Sequence, residues 1–216
     1  MVGTLVRPAR IVGVTSDRLQ QRALRLEYGT IAWNVGEAGL TIGLGIAAGS
    51  LALIGFGADS IIEIFASSVI VWHLRPGHER DSPARTATAL RMVGWAFAAL
   101  AAALSVAGVR DLVTARHPDE SLWGAIYLLT AALVMLVLGV AKRRLADQLD
   151  SSPLRSEATM TLLDAALAAG TAVGLGLNIL IGWWWADPLA ALVVAFICVG
   201  EARENLEEAR EWSEAV

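Results

Sequence analysis

Charge is scarce in this sequence: of 216 residues, 18% are Asp, Glu, Lys or Arg, while 56% are hydrophobic. A soluble domain of this size is rarely so apolar, and the mean hydropathy of +0.56 points the same way. Cysteine is almost missing. The single Cys198 excludes an internal disulfide, and its apolar surroundings read as a buried small residue. Histidine is equally thin: His73, His78 and His117 fall in or beside loops, away from any mid-membrane position. No phosphate-cradling loop, nucleophile elbow or histidine zinc motif occurs, so an enzyme is not expected. Nucleic-acid binding has no support beyond an arginine-rich start, and no cleavable signal peptide is expected from the polar N-terminal stretch. What the sequence has in quantity is glycine, at 20, and tryptophan, at 8. That mixture suits packed membrane helices with interfacial anchors.

The apolar residues fall into six runs: 28–48, 51–74, 85–109, 122–141, 156–181 and from Asp187 to about Val199. Each is long enough for a spanning helix or close to it. Residues 1–27 read as a basic arm, 28–200 as the membrane domain and 201–216 as a short acidic tail. Polar loops are expected around 76–83 and 110–120, with a polar linker after Lys142-Arg143-Arg144 through Pro153 and Arg155. Trp183-Trp184-Trp185 marks a membrane–water interface, and Asp187 reads as an N-cap of the last helix. Gly39 and Gly43 form a small-xxx-small pair that suits close helix approach. Basic residues set the orientation. With the N-terminus inside, all Lys and Arg lie on the cytoplasmic side except Arg110 and Arg116. The expectation is an all-α integral membrane bundle of six transmembrane helices, both termini cytoplasmic, multi-pass in the cell membrane.

Acids inside those runs carry the functional reading. Asp59 and Glu63 are four residues apart, which places them on one helical face. Glu37 and Asp164 lie at mid-depth of other spans, and Glu157 lies near the start of the fifth. A carboxylate at the bilayer centre costs about 2.5–3.5 kcal/mol on insertion scales, so these residues should face one another or a watery cavity. Their confinement to spans one, two and five argues for a shared site. Oxygen ligands suit hard divalent ions such as Mn²⁺ or Ca²⁺, and Zn²⁺ and Fe²⁺ also accept carboxylates. Met160, one turn before Asp164, would add a soft thioether, although a packing role explains it as well. The bland alternative for the acids is protonation and helix-to-helix hydrogen bonding.

Three stretches resemble the cation diffusion facilitator family. They are Gly49-Ser50-Leu51-Ala52-Leu53 leading to Asp59-Ser60-Ile61-Ile62-Glu63, the face ending at Asp164, and Trp185-Ala186-Asp187-Pro188-Leu189-Ala190-Ala191-Leu192. The resemblance implies a proton-coupled exporter of divalent transition metals, usually a homodimer. It implies a central tetrahedral site with two side chains each from spans two and five. Asp59 and Glu63 match the span-two pair, with Glu where Asp is usual, and Asp164 matches the deeper span-five acid. Met160 stands where the family has His or Asp, which puts a zinc preference in doubt. Glu157 or Glu37 would then supply the missing oxygen. The family's cytosolic ferredoxin-like domain is not expected here, which corresponds to the short branch. The expected cargo is a divalent metal ion (Zn, Fe or Mn) exchanged for protons. The rival expectations are a non-transporting metal-binding membrane partner and a small-molecule/proton exporter.

Overall fold

The computed structural model describes residues 9–48, 51–75, 82–115 and 122–214. These form six helices: α1 (Ala9–Ala48), α2 (Leu51–Leu74), α3 (Pro83–Val113), α4 (Leu122–Leu149), α5 (Ser152–Ile181) and α6 (Ala186–Glu214). Among the described residues there is no strand, so the chain is an all-α bundle, as its apolar periodicity requires. Local chemistry sets several ends. Ser82 precedes α3 and Ser151 precedes α5, each with Pro in the first turn, where a missing N–H costs nothing. Gly182 closes α5 in the left-handed region at φ 71°, which a glycine adopts without strain. The carbonyls that end α2 are met from neighbouring segments. Gln20 donates to the Leu74 carbonyl, and Arg85 donates to that of Trp72 while stacking 4.4 Å from its ring.

Stretches within α2, α3, α4 and α5 are long and apolar enough to cross a membrane. Asn34 and Glu37 dilute the apolar run of α1, and α6 carries Asp187 at one end and Glu201 and Arg203 beyond its apolar part. The outer surface is hydrocarbon-compatible: Val113, Leu180 and Phe196 are each 80% exposed. A water-soluble bundle would bury such side chains; a multi-pass membrane protein turns them to lipid.

Three helix pairs make the most extensive contacts: α3 with α6, α1 with α2, and α4 with α5. The apolar core runs through Ile70, Leu90, Val93, Phe97, Leu154 and Cys198, which confirms Cys198 as a buried free thiol. Several helices outrun the apolar stretches that define them. From Ala9 the basic arm continues α1 without a break. The expected linker after Lys142-Arg143-Arg144 is helical: α4 runs to Leu149, and only Asp150 and Ser151 separate it from α5. Basic side chains near a helix C-terminus favour the helix rather than end it. The acidic tail extends α6 to Glu214 and buries Ala202, Asn205 and Ala209.

The glycines divide sharply. A Cβ on Gly57 would sit 2.4 Å from Ile42 Cγ1 and 2.7 Å from Thr41 Oγ1, and one on Gly174 would sit 2.8 Å from the Asp187 backbone nitrogen. These two positions let α1 meet α2 and α5 meet α6 at close range. Gly39 and Gly43, read from the sequence as a packing pair, have nothing within 4 Å of where a Cβ would stand. They serve no close approach among the described residues.

Candidate cation site

The α1–α2 contact turns Asn34 and Glu37 of one helix toward Asp59, Ser60 and Glu63 of the other. Asn34 Nδ2 donates to Glu63 Oε2 at 2.8 Å, and Ser60 Oγ donates to Glu37 Oε2 at 3.0 Å. Tyr127 of α4 donates its hydroxyl to the other Glu37 oxygen. Glu37 and Glu63 are buried, and Asp59 and Asp164 are half-buried. Asp164 projects from α5 into the same field: Glu63, Glu37 and Asp59 all lie within electrostatic range of its carboxylate. Acids from three helices therefore share one region of the bundle interior and are not scattered toward lipid. As placed, no three His, Cys, Asp or Glu side chains among the described residues form a metal-coordinating group.

Glu157 has a different neighbourhood. Its Oε1 accepts from Ser67 Oγ at 2.9 Å and from Lys142 Nζ at 2.6 Å. Lys142 also lies 3.2 Å from Glu27 Oε2 and donates to Thr161 Oγ1 at 3.2 Å. The three ionic side chains are sealed: Lys142 and Glu27 are 0% exposed and Glu157 is 1% exposed. Met160 lies in the apolar core. His73 is buried in the last turn of α2, whereas His78 and His117 lie outside the described residues. Asp187 falls in the first turn of α6 and not at its cap. There it suits the helix dipole and pairs with the Thr171 hydroxyl.

Sequence reasoning missed Lys142, Glu27 and Tyr127 as neighbours of the acids. Lys142 reads as a stop signal and Glu27 as part of a solvated arm. No signal in the sequence marked this place: that α4 continues past Lys142 to Leu149 is visible only in the fold.

Cavities that border the bundle reach charged groups at two places. One, of about 300 Å³, is lined by Ala32, Trp33, Gly36, Glu37, Leu40 and Tyr127, so Glu37 is reached from the α1–α4 side. The other, of about 240 Å³, lies between the ends of α4, α5 and α6, with Arg143 and Arg155 opposite Glu201, Glu204 and Glu208. Burial raises the Glu201 carboxyl above its usual range; repulsion from Glu204 adds to this and Arg143 opposes it.

Long apolar helices that enclose acids from three of their number define a multi-pass membrane bundle with a polar interior. The family model of the cation efflux transmembrane domain matches residues 30–211. The chain belongs to that family, whose members are cation transporters and not enzymes. No curated protein matches the chain at a meaningful level of similarity.

Proposed function

We propose that this protein exports a divalent metal ion in exchange for protons, by alternating access, with Asp59, Glu63 and Asp164 as the principal ligands and Glu37 flanking them. The observation that carries the reading is the common field of these acids, contributed by α1, α2 and α5 within an apolar bundle. Buried carboxylates without a matching cation need either protons or a bound ion, and the two can replace each other in turn. The ion approaches from the cytoplasmic side, where the basic loops and both termini lie in this reading. It displaces protons from the acids and leaves on the other side as protons return. Oxygen-rich ligands favour Mn²⁺, Fe²⁺ or Zn²⁺ bound through carboxylates. Glu157 and Met160, both expected as ligands, stay outside this set: the first holds Lys142 and the second packs among apolar neighbours. The family's homodimer goes with the reading.

The test is reconstitution in liposomes loaded with a metal-sensitive dye. Wild type should carry Mn²⁺ or Zn²⁺ down an opposing pH gradient, and D59A and D164A should each lose at least about tenfold in rate, since each removes a charged ligand. Variants that transport as well as wild type would sink the site. Binding without flux in wild type would select a non-transporting metal-binding partner.

A further inference from the structure

The surroundings of Lys142 have the composition of a cation site. Its ammonium lies 2.6 Å from Glu157 Oε1, 3.2 Å from Glu27 Oε2 and 3.2 Å from Thr161 Oγ1. Ser67 and Thr161 also direct their hydroxyls at Glu157 Oε1, at 2.9 and 3.3 Å. Oxygens from α1 and α5 thus surround a positive charge supplied by α4, Ser67 of α2 braces one of them, and the three ions have almost no water-exposed surface. Two features mark this as more than a structural ion pair. Two carboxyl groups, within hydrogen-bond range of each other, face one ammonium, so the pair would carry two negative charges against one positive charge if the proton between them were lost. Two oxygens of the cage, Glu27 Oε1 and Glu157 Oε2, are buried without a hydrogen-bond donor. A divalent ion would balance the charge and has use for those oxygens, because hard cations collect carboxylate and hydroxyl oxygens.

We infer that Glu27, Glu157 and Thr161 form a second cation site that the protein occupies with its own Lys142, and that Lys142 thereby determines where the transported ion can bind. The ammonium is tethered, so its effective concentration at the cage is high and a free ion competes poorly. The cage adjoins the acidic cluster: Glu63 lies within electrostatic range of both Lys142 and Glu157. Without the lysine, an ion on its way to Glu63 would meet an equally acidic stop beside it. With the lysine in place, the ion is confined to Asp59, Glu63 and Asp164. For the choice of ion the inference rests on the transport reading above; the geometry of the cage does not depend on it.

The experiment counts Mn²⁺ bound to the purified full chain in detergent, from the loss of the free-ion electron paramagnetic resonance signal. Wild type is compared with K142M and with E27Q/K142M. K142M should bind about one more Mn²⁺ per chain than wild type, since a vacated pair of carboxylates attracts a hard cation. The extra ion should disappear in E27Q/K142M, which dismantles the cage again. Because K142M leaves two buried acids uncompensated, the melting temperature is followed as well, and Mn²⁺ should raise it more in K142M than in wild type. Equal counts in folded wild type and K142M would overturn the inference, and so would a K142M chain that stays unfolded with Mn²⁺ present. Wild type that binds no Mn²⁺ would sink the transport reading alone, because the difference between wild type and K142M remains readable.

Discussion

At the scale of single residues, what separates the two acidic regions is the company each carboxylate keeps. Glu63 and Glu37 are held by neutral donors, Asn34 and Ser60 with Tyr127, whereas Glu157 is held by a full positive charge. Neutral donors orient a carboxylate and leave its charge available; an ammonium cancels it. Y127F tests this at Glu37. An ion that uses the flanking Glu37 oxygen must first displace the tyrosine hydroxyl. Removing that hydroxyl should tighten Mn²⁺ binding about five- to tenfold, the equivalent of one net hydrogen bond of about 1 kcal/mol. Calorimetry on the purified protein measures it, and an unchanged affinity would mean that Glu37 stays with its present partners throughout. The four acids at mid-depth were legible in the sequence because a charge inside an apolar run is conspicuous. Their partners were not. Nothing in the sequence places Tyr127 of α4 against Glu37 of α1, since such pairing depends on helix order and rotation, which apolar spacing leaves open.

At the scale of helices, close crossings depend on a few glycines, and not on every glycine in the chain. Gly174 and Gly176 stand two residues apart on α5, yet a Cβ on the first would meet the Asp187 backbone at 2.8–2.9 Å, while one on the second meets nothing within 4 Å. Backbone cannot swing aside as a side-chain tip can. G174A should therefore cost about 1–3 kcal/mol by overpacking and lower the melting temperature in detergent, whereas G176A should leave it unchanged. Composition marked both glycines alike; only the geometry of α5 against α6 tells them apart. The C-terminal half of α6 makes a second case. Residues 201–216 read as a short acidic tail, but Ala202, Asn205 and Ala209 form a buried stripe, and Leu206 packs where Gly94 leaves room on α3. Burial raises the Glu201 carboxyl in this segment, so the folded state holds its proton to higher pH than the unfolded chain does. Stability from this group is therefore lost as pH rises through the folded value, and the ionised form is a burden at neutral pH. E201Q should melt at a higher temperature than wild type at pH 7, and the difference should vanish once the pH falls below the usual glutamate range. A lower melting temperature for E201Q at pH 7 would show that Arg143 outweighs the burial.

On the scale of the whole molecule, six helices and an acid-bearing interior were readable because a bilayer leaves few solutions: backbone polar groups must be satisfied within each helix, and charges must turn inward. Helix lengths were less readable. The sequence shows where an apolar run ends, and α1, α4 and α6 continue past that point because their polar extensions pack on one another and on neighbours. Six crossings would put both ends of the chain on the same side, and the distribution of Lys and Arg leads us to propose the cytoplasm for that side. Ser213 near the end of α6 and Arg110 near the end of α3 are both exposed, which makes them reporters of opposite faces. In a C198A background, removing the one native thiol, S213C and R110C should divide cleanly when intact cells meet a membrane-impermeant maleimide. R110C should label in intact cells, and S213C should label only after permeabilisation. Labelling of both from outside would mean that α6 does not cross. The opposite pattern, S213C labelling in intact cells and R110C only after permeabilisation, would turn the polar ends of α4, α5 and α6 outward, and the direction of ion movement proposed here would have to be reversed.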